Sequence, residues 1–237
     1  VAAGASFGVA IVARIGIGVV ILGLGLQSWS ALAGALLAVA VVWVVTKLRP
    51  DAATSTLLLA GVSLNFFFSS LILFLQYTAS FADAYRVLRW LMGGLGGVDA
   101  SSVIQMAPFV LVGMLVIFGF GRELDLLATG SELASSRGVA VARTRTTLFI
   151  ATSVMVGGVV AACGPVGFVG MMSPHICRLL LGSGHRLLLP MSAVFGGAFL
   201  VLCDVAARTI IAPAELPVGV ITAFLGAPFF LWLLLRK

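Results

Sequence analysis

Asp204 and Arg208 stand four residues apart inside a long apolar run, so on a helix a carboxylate and a guanidinium share one face and neutralise each other. That spacing suits a structural ion pair, because a proton relay wants an unpaired acid. Arg14 falls near the middle of another apolar run, where a cation costs about 2.5–3.5 kcal/mol on insertion scales. Two readings stay open for it: snorkelling or pairing inside a bundle, or lining a pathway for an anionic cargo. Arg86 and Arg89, three apart with Tyr85 and Trp90 beside them, suit a short interfacial amphipathic helix, with contact to a docking partner as the second reading. His175 and His185 have no acidic or cysteine partner at ligand spacing, which argues against a metal site. Ser173-Pro174-His175 reads as a helix irregularity with a satisfied side chain. No Gly-rich phosphate loop with its lysine is present, so the chain is not expected to hold ATP itself. With neither paired carboxylates nor a His/Asp cluster, an enzyme reading has nothing to build on.

The elements that would position these residues are hydrophobic spans. Of 237 residues 61% are hydrophobic and 9% charged, against about 25% charged in soluble domains, so this is an integral membrane protein. Spans of helical length are expected at about 4–26, 29–46, 54–77, 103–121, 144–163, 166–181, 188–211 and 218–235. The run 166–181 covers roughly 24 Å, short of the ~30 Å hydrocarbon layer, and reads as an untilted or partial span. Lys47, Arg49 and Asp51 form a polar break around Pro50. The predicted fold is all-α, a polytopic bundle of about eight transmembrane helices, with residues 1–237 as one domain. Glycines such as Gly4, Gly8, Gly157 and Gly196 lie inside spans, where small residues let helices approach closely. Cys163, Cys177 and Cys203 sit singly in apolar runs and read as small core residues.

One segment breaks the pattern. Residues 122–145 hold four of the fourteen Lys+Arg and three of the eight acidic residues. They read as two short helices: Leu124, Leu127 and Ala128 on one face of the first, Gly130 ending it, Ser131 capping the second, Gly138 closing it at C′. Such a hairpin (122–143) is either a solvated connector or a docking surface. Placing it on the cytoplasmic side gathers ten of the fourteen basic residues there, which leaves 78–102 and the Pro213–Pro217 turn facing outward. The formal charge of +6 is then a positive-inside bias, and nucleic acid is not an expected partner.

Several stretches resemble one family: Thr54-Ser-Thr-Leu-Leu-Leu-Ala-Gly-Val-Ser-Leu-Asn65, Arg89-Trp-Leu-Met-Gly-Gly-Leu-Gly-Gly-Val-Asp99, Leu126-Leu-Ala-Thr-Gly-Ser-Glu-Leu-Ala-Ser-Ser-Arg-Gly-Val139, Gly164-Pro-Val-Gly-Phe-Val-Gly-Met-Met-Ser-Pro-His-Ile-Cys-Arg178 and Ala212-Pro-Ala-Glu-Leu-Pro-Val-Gly-Val-Ile-Thr-Ala-Phe-Leu-Gly-Ala-Pro228. Together and in this order they are similar to the permease subunits of type II ABC importers, which carry iron–siderophore, haem or vitamin B12 complexes. That family has about ten spans, so the resemblance implies that the first two are absent here. It also implies that the hairpin couples to a cytoplasmic ATPase through Leu126, Leu127, Gly130, Glu132, Leu133, Ala134 and Gly138. Thr54, Ser55 and Asn65, with Arg14, would belong to the gate and pathway. Arg86, Arg89 and Glu215 would meet an extracytoplasmic substrate-binding protein. The implied partners are a second permease copy or paralogue, two ATPase subunits carrying ATP and Mg2+, and membrane lipid; this chain would bind no cofactor. The implied location is the bacterial inner membrane. The rival reading is an ion-coupled secondary transporter, which would need an unpaired intramembrane acid.

Overall fold

The computed structural model describes the chain except residues 16–19, 22–23, 49–53 and 236–237, with the backbone alone described at 20–21, 24–25, 46–48, 54–58 and 234. In order the elements are α1 (Ala2–Ile15), β1 (Val20–Ile21), β2 (Leu24–Gly25), α2 (Leu26–Leu48), α3 (Thr54–Tyr77), α4 (Phe81–Leu91), α5 (Ala100–Gly119), α6 (Gly121–Ala128), α7 (Ser131–Ser136), α8 (Val141–Cys163), α9 (Val169–Leu181), α10 (His185–Thr209) and α11 (Val218–Leu235). Five helical stretches are long and apolar enough to cross a membrane: Leu26–Val45, Leu59–Tyr77, Ala100–Gly119, Val141–Cys163 and His185–Thr209. Shorter apolar helices occupy Ala2–Ile15, Val169–Leu181 and Val218–Leu233. These eight correspond in order to the eight expected runs. Many of their large apolar side chains are exposed, among them Leu59, Phe66, Leu73, Ile104, Leu115 and Leu202, as befits helices whose solvent is lipid.

The first span departs from expectation. Its helix α1 is described as far as Ile15, residues 16–19 lie outside the described residues, and Val20–Ile21 pairs antiparallel with Leu24–Gly25. The sequence there alternates Gly16, Gly18, Gly23 and Gly25 with β-branched Ile17, Val19, Val20 and Ile21. Both residue types are poor helix formers, and hydropathy alone registers neither. The polar break at Arg49, Pro50 and Asp51 lies outside the described residues, as do Arg236 and Lys237.

The chain packs as two compact units. The first comprises Val1–Leu91, Gly97–Leu111 and Thr152–Pro165. Its centre is the pairing of α1 with α2, where Ala5, Val9, Ala31, Ala35 and Val160 are buried together. The backbones touch: a Cβ on Gly8 would fall on the Ser30 carbonyl, and one on Gly34 on the Gly4 carbonyl. Gly4-x-x-x-Gly8 on α1 thus faces Ser30-x-x-x-Gly34 on α2, a small-residue seam that replaces the hydrophobic drive missing in lipid. Beside it Ala10, Ala13, Ile72 and Val87 form a second cluster. Val87 is the buried residue of α4, whose other face carries Tyr85, Arg86 and Arg89 to the surface. Ser80 caps α4: its hydroxyl accepts the Asp83 N–H at 3.3 Å and donates to Asp83 Oδ2 at 2.7 Å. Asp99 starts α5 by accepting the Ser102 N–H at 2.9 Å. Its carboxyl is held down to about 2, first by the Ser102 hydroxyl, then by the Ser102 N–H and the Ser101 hydroxyl.

The second unit comprises Met92–Gly96, Val112–Ala151 and Val166–Lys237. Cys203, Ala207 and Val218 are buried together where α10 meets α11, flanked by Leu95 and Leu216. Cys163, Cys177 and Cys203 are all buried and free, as expected of small core residues. Phe168 precedes α9 in the left-handed region at φ 66°. Its ring occupies the space that a Cβ on Gly226 would need, so α11 closes over it only because residue 226 is glycine. The expected Asp204–Arg208 pair is present, Arg208 Nε donating to Asp204 Oδ2 at 2.8 Å. His175, by contrast, is not satisfied: its buried Nε2 has no hydrogen-bond partner among the described residues, and its ring meets the edge of Phe229 at 6.3 Å.

Candidate functional site

The polar segment folds as two short helices, α6 and α7. Gly130 joins them at φ 120°, a conformation open only to glycine. That residue occupies the N-cap of α7, so Ser131 lies inside the helix and supplies no side-chain cap, contrary to expectation. The expected close at Gly138 is observed. At φ 86° it donates its N–H to the Ser135 carbonyl at 3.0 Å, and Val139 donates to the Ala134 carbonyl at 3.0 Å. The two bonds together are a Schellman motif. On α6 Leu124 and Leu127 are half-buried, while Ala128 is exposed and drops from the expected stripe.

The hairpin is anchored by a contact the sequence does not disclose. Asp125 Oδ1 on α6 accepts the backbone N–H of His185 at 2.8 Å and lies 2.7 Å from His185 Nδ1. His185 is the first residue of α10, whose own N-cap, Gly184, offers no side chain. A carboxylate from another element therefore satisfies an orphan donor at the positive end of α10. The His185 backbone N–H, then its ring, hold the Asp125 carboxyl below the usual carboxylate range. A depressed carboxyl favours the fold above its unfolded pKa, about 3.9, so the tie persists at neutral pH and fades only as pH falls through the folded value. Replacing Asp125 by alanine removes a cap of about 1 kcal/mol, so the α6–α7 amides should exchange about five-fold faster by hydrogen-exchange mass spectrometry. Asp125→Asn, which keeps an acceptor oxygen, should have the smaller effect.

The residues expected to couple all lie on the α6–α7 hairpin or at its close. Glu132, Leu133 and Gly130 are exposed at the hairpin's turn, and Ala134 is fully buried beneath them. Leu126 and Leu127 are half-buried and Gly138 is exposed. Elsewhere, Thr54 and Ser55 open α3, but their side chains lie outside the described residues; Asn65 is exposed on the same helix. Arg14 lies just before the stretch 16–19, which falls outside the described residues. It occupies the last turn of α1, exposed, where it lines a small cleft with Gln76 and Asp83. Arg86 is exposed on α4, 3.5 Å from Asp83, and Arg89 is exposed two residues before that helix ends. Glu215 lies in the turn before α11, where Arg208 reaches it at 3.9 Å.

Helices long and apolar enough to span a membrane, broken by one polar hairpin, define a multi-pass α-helical membrane protein. The model of the FecCD transport family matches residues 1–236, and the chain belongs to that family. It is 38% identical to the ABC transporter permease protein YvrB of Bacillus subtilis, over 100% of this chain and 67% of that protein. It is 41% identical to the cobalamin import system permease protein BtuC of Halobacterium salinarum, over 86% of this chain and 55% of that protein. Its identity to the vitamin B12 import system permease protein BtuC of Escherichia coli is also 41%, over 93% and 68% respectively. The chain thus spans between about half and two thirds of the length of these relatives. Among solved structures, an inward-facing conformation of a putative metal-chelate type ABC transporter superposes with a TM-score of 0.89 at 26% identity. That likeness covers 100% of this chain and 74% of the solved one. The resemblance read from the sequence motifs is borne out, and with it the type II importer permease fold.

Proposed function

We propose that this chain is the membrane-spanning permease subunit of an ATP-binding-cassette importer for a cobalamin, haem or iron–siderophore complex, seated in the bacterial inner membrane. The observation that carries this reading is the hairpin. It is polar, exposed at Gly130, Glu132 and Leu133, closed by Gly138 and tied to α10 through Asp125. A solvated connector needs no such brace, whereas a part that transmits force does. A cytoplasmic ATPase would seat the hairpin on its surface, and ATP-driven closure of two ATPase subunits would pull α6–α7 and, through Asp125 and His185, the head of α10. Rocking of packed helices would then open the pathway alternately to either side. The chain would pair with a second permease copy or a paralogue. A substrate-binding protein would dock on the opposite face, with Arg86, Arg89 and Glu215 as candidate contacts and Thr54, Ser55, Asn65 and Arg14 as candidates for gate and pathway. Hydrolysis, with its ATP and Mg2+, belongs to the partner. The cobalamin relatives support a corrinoid cargo first. Uptake of labelled cyanocobalamin or a ferric siderophore into liposomes holding the reconstituted permease, ATPase and binding protein should require internal ATP. Equal uptake without ATPase, driven by a proton or sodium gradient, would point to the secondary-transporter reading.

A further inference from the structure

Phe120, Arg122 and Glu123 from one side and Arg137, Arg143 and Thr147 from the other line a groove of about 520 Å3 at the foot of the hairpin. None of Arg122, Arg137 and Arg143 has an ion-pair or hydrogen-bond partner among the described residues, and all three are exposed. Glu123 is the one carboxylate among them, and its Oε2 is buried with no donor to it. We propose that this groove holds the headgroup of an anionic phospholipid, its phosphate on the arginines and a headgroup hydroxyl donating to Glu123 Oε2; phosphatidylglycerol has both parts.

Three observations select this occupant. The first is depth. The groove runs from Phe120, one residue past the end of α5, to Thr147, six residues into α8, or about 9 Å along that helix. Both helices are long and apolar enough to span a membrane, so the groove descends from the water-exposed hairpin towards the acyl chains. A lipid can follow it there; the surface of a soluble protein cannot. The second is charge. Three guanidiniums against one carboxylate leave a net positive groove, and basic pockets beside membrane helices favour anionic headgroups. The third is the orphan Oε2, which asks for a donor beside the anion; phosphatidylglycerol supplies one from a neutral glycerol hydroxyl set apart from its charged phosphodiester. The inference rests on the membrane assignment; Leu126 and Gly138, candidate ATPase contacts, also line the groove, so the test separates lipid from protein partner.

Native mass spectrometry of the permease, alone and with its ATPase, titrated with phosphatidylglycerol or phosphatidylcholine, tests it. Wild type should retain one phosphatidylglycerol per permease chain in preference to phosphatidylcholine. Arg122→Gln with Arg143→Gln should weaken that retention about thirty-fold, two basic residues at the usual surface increment. Arg86→Gln with Arg89→Gln, which removes equal charge from α4, should leave it unchanged and controls for fold and net charge. Equal retention of the two lipids, or an unaltered groove variant, overturns the proposal. So does arginine-dependent stabilisation by millimolar inorganic phosphate without any by phosphatidylglycerol, which would make the groove a soluble-anion site. Loss of ATPase co-purification in the groove variant with lipid retention intact would likewise overturn it and assign the arginines to the protein partner.

Discussion

Gly8→Leu should cost the folded protein at least about 3 kcal/mol, the upper range for overpacking a tight interior, because the added side chain meets backbone and not a movable neighbour. A Cβ at residue 8 would land on the Ser30 carbonyl, and the same seam places Gly34 against Gly4. Neither helix can yield without opening the cluster of Ala5, Val9, Ala31 and Ala35. The purified chain should melt roughly 10 °C lower, or fail to accumulate in the membrane. Gly61→Leu is the matched control. A Cβ there has nothing within 4 Å, and residue 61 is exposed on α3, so its melting point should stay close to wild type. If both variants melt alike, α1 and α2 do not meet through this seam.

The second large effect is functional. Glu132→Arg reverses a charge at the exposed turn of the hairpin and touches no span. Permease-dependent ATP hydrolysis by the reconstituted partner should fall at least about ten-fold, the loss expected for a reversed charge inside a docked interface. Dimer assembly and melting point should be unchanged. Loss of assembly with hydrolysis per complex intact would make the hairpin a structural element only.

How far the sequence reaches depends on the range of the interaction. The bounds of α3 and α11 are legible because continuous apolar runs end at hard punctuation, Tyr77 and Thr78 for the one and Pro217 for the other. Gly138 is legible as a C′ residue because the left-handed position after a short helix selects glycine on local grounds alone. The pairing of Val20–Ile21 with Leu24–Gly25 is not. Hydropathy sums apolar character and reads this stretch as membrane helix, although its β-branched residues and glycine weaken one. Ser131 loses the cap of α7 to its neighbour because the turn needs a φ of 120° at residue 130. Asp125 and His185 lie 60 residues apart, and nothing local to either marks the other. The same holds for the groove arginines, which arrive from α6, the end of α7 and α8 and read in sequence only as a charged loop.

In the proposed importer the turn of this hairpin is gripped by a separate ATPase. Leu133→Cys supplies a handle there: Leu133 is 48% exposed, while Cys163, Cys177 and Cys203 are buried and should stay silent. The variant, carrying a short photoactivatable maleimide and reconstituted with ATPase and substrate-binding protein, should cross-link to the ATPase and lose the cross-link when the ATPase is omitted. A cross-link to the substrate-binding protein, or none while the ATPase remains bound, would contradict the account.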